Sequence, residues 1–392
     1  MKIEIIDVTN SKKGMKQFLK LPWKMYKDDP LWAPDLLMDL KKRLNKKKHP
    51  FFEFGDAGFF LAKRDGEIVG RIAGIENRRH IEYRKEKIGF WGFFECENDQ
   101  EAADALFDAA KKWNLEKGYD MMRGPMSCDT QDELGMVLEG YDNMRFFIMP
   151  HNPPYYIELC EKAGLQKKKD LICFLLNLQD AIPEKVARLA EISKSRLEKR
   201  GFLFRNLDKK AVVEDFKKVM HIYHEGWKDN WGFVPASERQ FNELANNMKL
   251  VAEENLVILI EGPEDPETGE RIPAAMAVSL YDWMESTHWA RKFPFWMQEI
   301  MQLLNLLYRL FIKRKNKFTR GRMFLAGVHP KYRGQGLDSL LYVLPFQAGK
   351  DLGVKWAELS WELEDNYAIL SPIEKVGGKM YRKLRLWDVS TK

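Results

Sequence analysis

The stretch from Leu325 to Leu337 constrains this chain more than any other. An apolar, strand-like run ends in a basic, glycine-rich turn, and a helical run over 337–353 follows at once. Such a turn aims several backbone N–H groups at one point, at the positive end of a helix dipole. That geometry suits a pyrophosphate. Gly334 and Gly336 allow close approach because they have no Cβ, and Arg333 adds a permanent cation. A strand–turn–helix with no ligand is the plainer alternative.

At 392 residues the chain is long enough for two domains of ordinary size. Hydrophobic residues make up 45% and charged residues 31%, which implies a soluble globular protein. Residues 1–10 alternate like a strand, so no signal peptide is expected there. Cys96, Cys128, Cys160 and Cys173 lie far apart without a CxxC pair. Neither a zinc site nor a disulfide scaffold is expected, and a reducing cytoplasm is the default compartment. The net charge of +6 is modest but clustered. Residues 41–49 hold six Lys/Arg in nine positions, and 313–322 hold six in ten. Solvated surface is the ordinary reading of such runs. CoA phosphates, a lipid surface or nucleic acid are the anionic alternatives. No zinc-finger or RNA-binding signature is present, so nucleic acid is not expected.

Periodicity reads strand (3–8), helix (14–27), a Pro/Trp loop (28–34) and a basic helix. A hairpin over 58–76 turns at Asp65–Gly66. A strand (88–95), helix (100–118), strand (119–123), long loop (124–154), helix (154–164) and strand (171–178) follow. The second half repeats the order: a linking helix (183–200), strand (202–207), helix (209–229), hairpin (256–282), strand (323–328), the helix after the turn, strand (355–363), helix (366–376) and strand (380–388). A mixed α/β fold of two tandem domains, 1–180 and 181–392, is expected.

Val328, Pro330, Arg333 and Gly336 resemble the acyl-CoA-binding motif of the GNAT acyltransferase superfamily, in which a strand ends in Val and Arg/Gln-x-x-Gly-x-Gly/Ala opens a helix. Asp338 departs from the last small position. Asn152 before Cys160–Gly164, and Asn366 before Ile373–Gly377, resemble the later segment of the same fold. There the resemblance expects a tyrosine general acid, but Cys160 and Ile373 stand in its place. After its fourth strand the first copy carries Glu95, Glu97 and Asp99, which would repel a pyrophosphate. The resemblance therefore implies one CoA-binding domain and one degenerate partner. Ala326, Gly327, Val328, Arg333, Gly334, Gln335, Gly336 and Asn366 are carried over as the CoA-binding residues, with acyl-CoA, acetyl or longer, as co-substrate and no metal. The phrases 29–34, 50–53, 69–72, 151–156 and 229–235 resemble a widespread bacterial tandem-GNAT group. Some of its members resemble bacterial ceramide synthases, which N-acylate a long-chain base.

The implied activity is N-acyl transfer from acyl-CoA to an amine, with a lipidic or long-chain amine among the acceptors the resemblance implies. A non-catalytic acyl-CoA or lipid-binding protein and a Fem-like aminoacyl transferase are the alternatives. Transfer needs a base. Glu358, Ser360 and Glu362 share one face of the fifth strand by period two. Glu362 is the leading base, with His151 and Tyr155 of the first copy as rivals. Backbone N–H near Ala326–Val328 would cradle the carbonyl oxygen. The loop 124–154 is long enough to expect substrate binding there, with packing as the equal alternative. His221 and His224 are spaced for a metal on one helix, but no third ligand is evident. Trp227, Asn230, Trp231 and Phe233 resemble the start of a substrate-facing loop.

Residues 293–312 are nearly all apolar, with Gln298, Glu299, Gln302, Asn305 and Arg309 on one narrow helical stripe. Five polar residues argue against a transmembrane span. An amphipathic helix inserted at this point, flanked by cations, is expected to touch a membrane or lid a lipid tail. Packing on the other domain or on a dimer partner is the alternative. The chain is expected in the cytoplasm, with possible peripheral contact at the inner face of the membrane. Its oligomeric state is left open.

Overall fold

The computed structural model describes residues 2–129, 132–313 and 317–392. Part of the basic run 313–322 and the middle of the loop 124–154 lie outside those residues. By internal contacts the chain forms two compact units. The first comprises Met1–Leu171, Ser286–Leu303 and Arg382–Lys392. The second comprises Ile172–Glu285 and Leu304–Tyr381.

The first half of the chain runs β1 (Ile3–Asp7), α1 (Lys12–Met25), α2 (Leu37–Arg43), β2 (Gly55–Arg64), β3 (Glu67–Asn77), α3 (Arg78–Arg84), β4 (Gly89–Cys96), α4 (Gln100–Glu116), β5 (Met121–Gly124), β6 (Met136–Glu139), α5 (Tyr156–Lys162) and β7 (Gln166–Asn177). Local chemistry sets the boundaries. Ser11 caps α1 by accepting from Gly14 N–H at 3.0 Å, and Asp99 caps α4 by accepting from Ala102 N–H at 3.2 Å. The β2–β3 hairpin turns on Asp65 and Gly66, both at positive φ (53° and 87°), the pairing that matches strand twist. In the first unit β1, β2, β3 and β4 pair antiparallel in that order, and β4 pairs parallel with β5. All eight residues of β4 are buried, beneath the apolar face of α4.

The second half runs α6 (Glu184–Lys199), β8 (Leu203–Asn206), α7 (Val212–Trp227), α8 (Glu238–Val251), β9 (Val257–Glu264), β10 (Arg271–Tyr281), α9 (Met284–Ala290), α10 (Phe295–Leu307), β11 (Arg320–Val328), α11 (Leu337–Asp351), β12 (Trp356–Leu363), α12 (Tyr367–Lys375) and β13 (Lys379–Ser390). In the second unit β8, β9, β10 and β11 pair antiparallel, and β11 pairs parallel with β12. Its core gathers Ala190 and Leu197 of α6 and Leu337, Leu340 and Leu341 of α11 over β9 and β10.

The two copies trade their last strands. β13 pairs antiparallel with β5, Trp387 opposite Gly124, which places the end of the chain in the first unit. Arg385 grips the buried Asp170 at 2.8 Å, and Arg123 grips Asp388 at 2.8 Å. β7 starts in the first unit, and its later residues lie beside β12 in the second.

The helical insertion between β10 and β11 lies the other way out from an ordinary surface helix. Residues 286–303 belong to the first unit. Gln298 and Gln302 are only 2% and 1% exposed, while Trp296, Ile300 and Leu304 are 77%, 59% and 55% exposed. Gln298 accepts from the Trp23 indole. Gln302 accepts from Leu37 N–H at 2.9 Å and donates to Asp35 O at 3.2 Å. Lys41 pairs with Glu299, and Phe295 meets Trp23 edge-on at 5.0 Å. The polar stripe read from the spacing exists, and it is the side turned to protein. After α10 a π-helical turn, Tyr308–Ile312, keeps Tyr308, Phe311 and Ile312 exposed.

Candidate functional site

In the second unit, β11 and β12 part company. Their register runs from Arg320 opposite Trp356 to Met323 opposite Leu359, and among the described residues it goes no further. Arg322 and Glu358, opposite each other, form a buried ion pair at 2.9 Å at the foot of the split. Beyond it the β10–β11 register slips at Val278/Ser279, a bulge at Phe324 that re-aims the strand. Met323 to Gly327 are only partly buried, although they lie in the middle of a sheet. Among the described residues the β12-facing backbone edge of 324–328 has no register partner on β12.

The turn that follows fits an anion. Val328 leads into a short 3₁₀ turn, Pro330–Tyr332, and then Gly334 and Gly336 at φ 73° and 89°. Space around Gly334 is open: a Cβ there would meet nothing within 4 Å. Gly336 is the N-cap of α11 and offers no side-chain cap, so the first N–H groups of α11 get none from it. Arg196 of α6 braces the turn through Gln335 O at 2.8 Å, and Arg333 donates to Gly226 O at 3.1 Å. A Cβ at Gly336 would crowd Ser193 Oγ at 2.8 Å, and one at Gly327 would run into the Trp227 ring. Trp227, expected at the start of a substrate-facing loop, therefore lies directly against Gly327 of β11.

Glu362 follows Glu358 on the same face of β12, past the split. Burial first, and then the neighbouring Glu358, push its carboxyl up to about 8. The phenol of Tyr342 on α11 is raised by burial and then by Glu362 and Asp338, which places those three acids in one neighbourhood. Asp338 is exposed in the first turn of α11. Asn366 is the N-cap of α12 with no side-chain cap bond, and Ile373 is buried. His221 stacks on His329 at 5.3 Å rather than serving with His224. Burial, and then His221, hold the His329 imidazole below its ordinary range. Among the described residues no cluster suited to a metal is present.

The equivalent split of the first unit is filled. Among the described residues β4 and β5 pair at Gly89–Met122 and Phe90–Arg123 and no further. The segment after Gly124 turns into the gap, where Met126 N–H donates to Trp91 O at 2.8 Å. What remains is a cavity of about 60 Å³ at the end of β4.

No protein-family model matches the chain. Over 386 residues it is 26% identical to Protein YghO of Escherichia coli (strain K12), covering 96% of this chain and 93% of that protein. Over 380 residues it is 28% identical to the bacterial ceramide synthase of Caulobacter vibrioides (strain NA1000 / CB15N), covering 95% and 94%. Among solved structures it superposes on a tandem GNAT protein from the clavulanic acid biosynthesis pathway, with a TM-score of 0.57 and 12% identity over 100% of this chain and 99% of that one. The chain has the tandem GNAT fold. A GCN5-related glucosamine N-acetyltransferase region from a fungal multi-domain β-N-acetylglucosaminidase gives a TM-score of 0.53 at 16% identity, over 99% of this chain and 38% of that one.

Within this tandem GNAT chain the expected site residues separate. Ala326, Gly327, Val328, Arg333, Gly334, Gln335, Gly336, Glu362 and Asn366 all belong to the second unit. His151 and Tyr155 belong to the first, and both are engaged there. His151 Nε2 pairs with Asp29 Oδ2 at 2.7 Å, and that bond holds the Asp29 carboxyl below its ordinary range. Tyr155 donates to Cys96 O at 2.9 Å. In the sequence Glu95 is one of three acids expected to repel a phosphate. Glu95 is in fact a buried hub: its Oε2 accepts from Tyr26 at 2.5 Å and from Tyr156 at 2.9 Å. Burial raises its carboxyl against the pull of Arg71. Its signal in the sequence was position, at the end of an otherwise apolar strand.

Proposed function

We propose that this chain transfers an acyl group from acyl-CoA, acetyl or longer, to an amine, and that the acceptor is a lipidic, long-chain amine. One observation carries the reading. In the second unit the β11–β12 pairing ends at Met323, and β11 runs on into a glycine turn whose helix has no side-chain cap. A pyrophosphate supplies the missing partner for those N–H groups, and the thioester then lies along 326–328. The full-length likeness to a protein named as a bacterial ceramide synthase supports the lipidic acceptor.

The chemistry follows from Glu362. The amine attacks the thioester carbonyl, backbone N–H of 326–328 receives the developing oxyanion, and Glu362 takes the amine proton. When the C–S bond breaks, the same proton passes from Glu362 to the leaving thiolate. This leaves an amide and CoA thiol with every proton accounted for. A carboxyl raised to about 8 is suited to both steps, and the tyrosine replaced by Ile373 is then not required.

The outward apolar stripe of α10 supports a second part of the reading, peripheral contact with the inner face of the cytoplasmic membrane. Among the described residues no helix is long and apolar enough to cross a membrane. The exposed Lys292 and Lys47 would add attraction to anionic lipid.

The test measures CoA thiol release and, by mass spectrometry, N-acyl product from panels of short and long-chain amines. Turnover confined to long-chain amines, and abolished in Glu362→Gln with CoA binding retained, is the expected result. CoA binding with no thiol release for any amine would instead make the chain a non-catalytic acyl-CoA-binding protein.

A further inference from the structure

A cavity of about 30 Å³ lies in the second unit, between α11 and the sheet. Every residue on its wall belongs to that unit. Leu176, Leu178, Met323, Phe346, Val354 and Leu359 make the wall mostly apolar. Arg322 reaches its margin but is already committed to Glu358 at 2.9 Å. A cavity so lined stays dry, so what fills it is apolar.

The helix above the cavity is built to leave this space. Pro345 and Gly349 stand four apart in α11, hence on one face, and both line the cavity. A proline inside a helix removes a backbone hydrogen bond, and a glycine there weakens the helix. Neither fills space as a leucine would. A helix that only covered the sheet would have no use for the pair at these positions.

Position says which chain enters. Met323 and Leu359 line the cavity and are also the last residues paired across β11 and β12, so it begins where the strands part. Ala357 and Leu359 of β12 face it, while Glu358 and Glu362 alternate to the other face. The cavity thus lies on the side of the glycine turn and α11, away from the side that presents Glu362 to the amine. From Ala326, beside the thioester, back to Met323 is three residues of strand, roughly 10 Å. An extended alkyl chain advances roughly 1.3 Å per carbon, given C–C bonds of about 1.5 Å. About eight carbons therefore reach the cavity, and its volume takes roughly two or three more groups of that size. We propose that this cavity receives the end of the donor's acyl chain and makes a medium-chain acyl-CoA, of about ten carbons, the preferred thioester. The inference rests on acyl-CoA binding at the turn after β11, and it adds the donor's chain length and the residues that set it.

The test titrates acetyl-, hexanoyl-, decanoyl- and hexadecanoyl-CoA into the full chain by calorimetry, and measures thiol release from each with one long-chain amine. Affinity should rise about two- to fourfold per added methylene as far as decanoyl-CoA, and hexadecanoyl-CoA should bind no more tightly. A Cβ at Gly349 would meet Leu178 Cδ1 at 2.9 Å and press that side chain into the cavity. Gly349→Ala should therefore shift the preferred chain about one or two carbons shorter, and Phe346→Leu should shift it longer. Alanine is the better helix former, so Gly349→Ala decides if Phe346→Leu fails to fold. Equal affinity from acetyl to hexadecanoyl, with thiol released, overturns the cavity and leaves acyl transfer standing. A decanoyl optimum in binding, with no thiol released for any amine, supports the cavity and overturns transfer. Failure of every thioester to bind overturns both. A gain that continues through hexadecanoyl-CoA, or an optimum that folded Gly349→Ala does not move, also overturns the cavity. So does a variant that re-ranks amines by chain length instead, which would put the acceptor's tail there.

Discussion

The two units share a strand order and bend their fourth strand at corresponding places, yet one closes what the other leaves open. In the first, the β3–β4 register slips between Arg71 and Ala73, Phe93 takes φ 52°, and the whole strand is buried under the segment after Gly124. In the second, the slip at Phe324 precedes a half-exposed strand end. The helices that follow repeat the contrast. α4 is capped by Asp99, itself held by Arg64 at 2.8 Å, whereas α11 begins at an uncapping glycine. A carboxylate carried by the chain satisfies one helix start, and the other is left for a carboxylate- or phosphate-like group from outside. A few turn residues, not the fold, separate an uncapped helix start from a capped one.

The strongest way to break this comparison is to give the second unit what the first already has. Gly336→Glu places a carboxylate at the start of α11 and crowds Ser193. CoA binding by calorimetry should fall by more than about a hundredfold, from one CoA per wild-type chain to none. A stoichiometry of two in the wild type, or an unchanged affinity in a folded variant, would place CoA elsewhere.

Glu362→Gln comes next. Turnover at neutral pH should drop by about 10²–10⁴ while CoA still binds, and wild-type kcat should rise with pH through about 8 as Glu362 ionises. The stability effect has the opposite sense. A carboxyl raised in the folded state means that the folded chain holds more protons than the unfolded one between the ordinary carboxylate range and about 8, so stability falls as pH rises across that window. Glu362→Gln should therefore raise the melting temperature more at pH above 8 than at acid pH. A lower Tm at high pH would mean that Glu362 is needed ionised for folding.

The third test turns on the reversed helix. Gln302→Leu leaves Leu37 N–H and Asp35 O without their partner, and should cost about 1–3 kcal/mol in urea unfolding. Ile300→Gln with Leu304→Gln should change stability by no more than about 0.5 kcal/mol while weakening co-sedimentation with anionic vesicles. A wild type that ignores vesicles of every composition would remove the membrane contact from the proposed function.

What was legible in the sequence follows what is local. The glycine turn, the helix starts and the repeated strand order are set by neighbours a few residues apart, and they read directly. Period two alone puts Glu362 beside Glu358 on one face of β12, but its raised carboxyl depends first on burial, which alternation does not encode. For α10 the spacing defined the stripe. Which side meets protein depended on Trp23, Leu37 and Asp35, more than 250 positions away. The cavity of the first unit was invisible for the same reason: Tyr26, Arg71, Glu95 and Glu133 come from four separate segments. The exchange of β7 and β13 could not be read either, because any last strand with the same pattern pairs equally well in its own copy.

The smallest effect sharpens the comparison most finely. Asp338 stands in the first turn of α11, exposed, and departs from the small residue that the motif resemblance expects. There it complements the helix dipole, worth about 0.3–1 kcal/mol. With a pyrophosphate bound at the same helix start it becomes a like charge at partly screened range, a cost on the order of 1 kcal/mol. The two effects have opposite signs in different states of the protein. Asp338→Ala should therefore lower the unliganded melting temperature slightly while tightening CoA several-fold, and the gain should shrink as salt shortens the screening length. If CoA binds more weakly in the variant, Asp338 holds the turn or contacts the ligand, and the start of α11 does its work with a carboxylate in place, as α4 does.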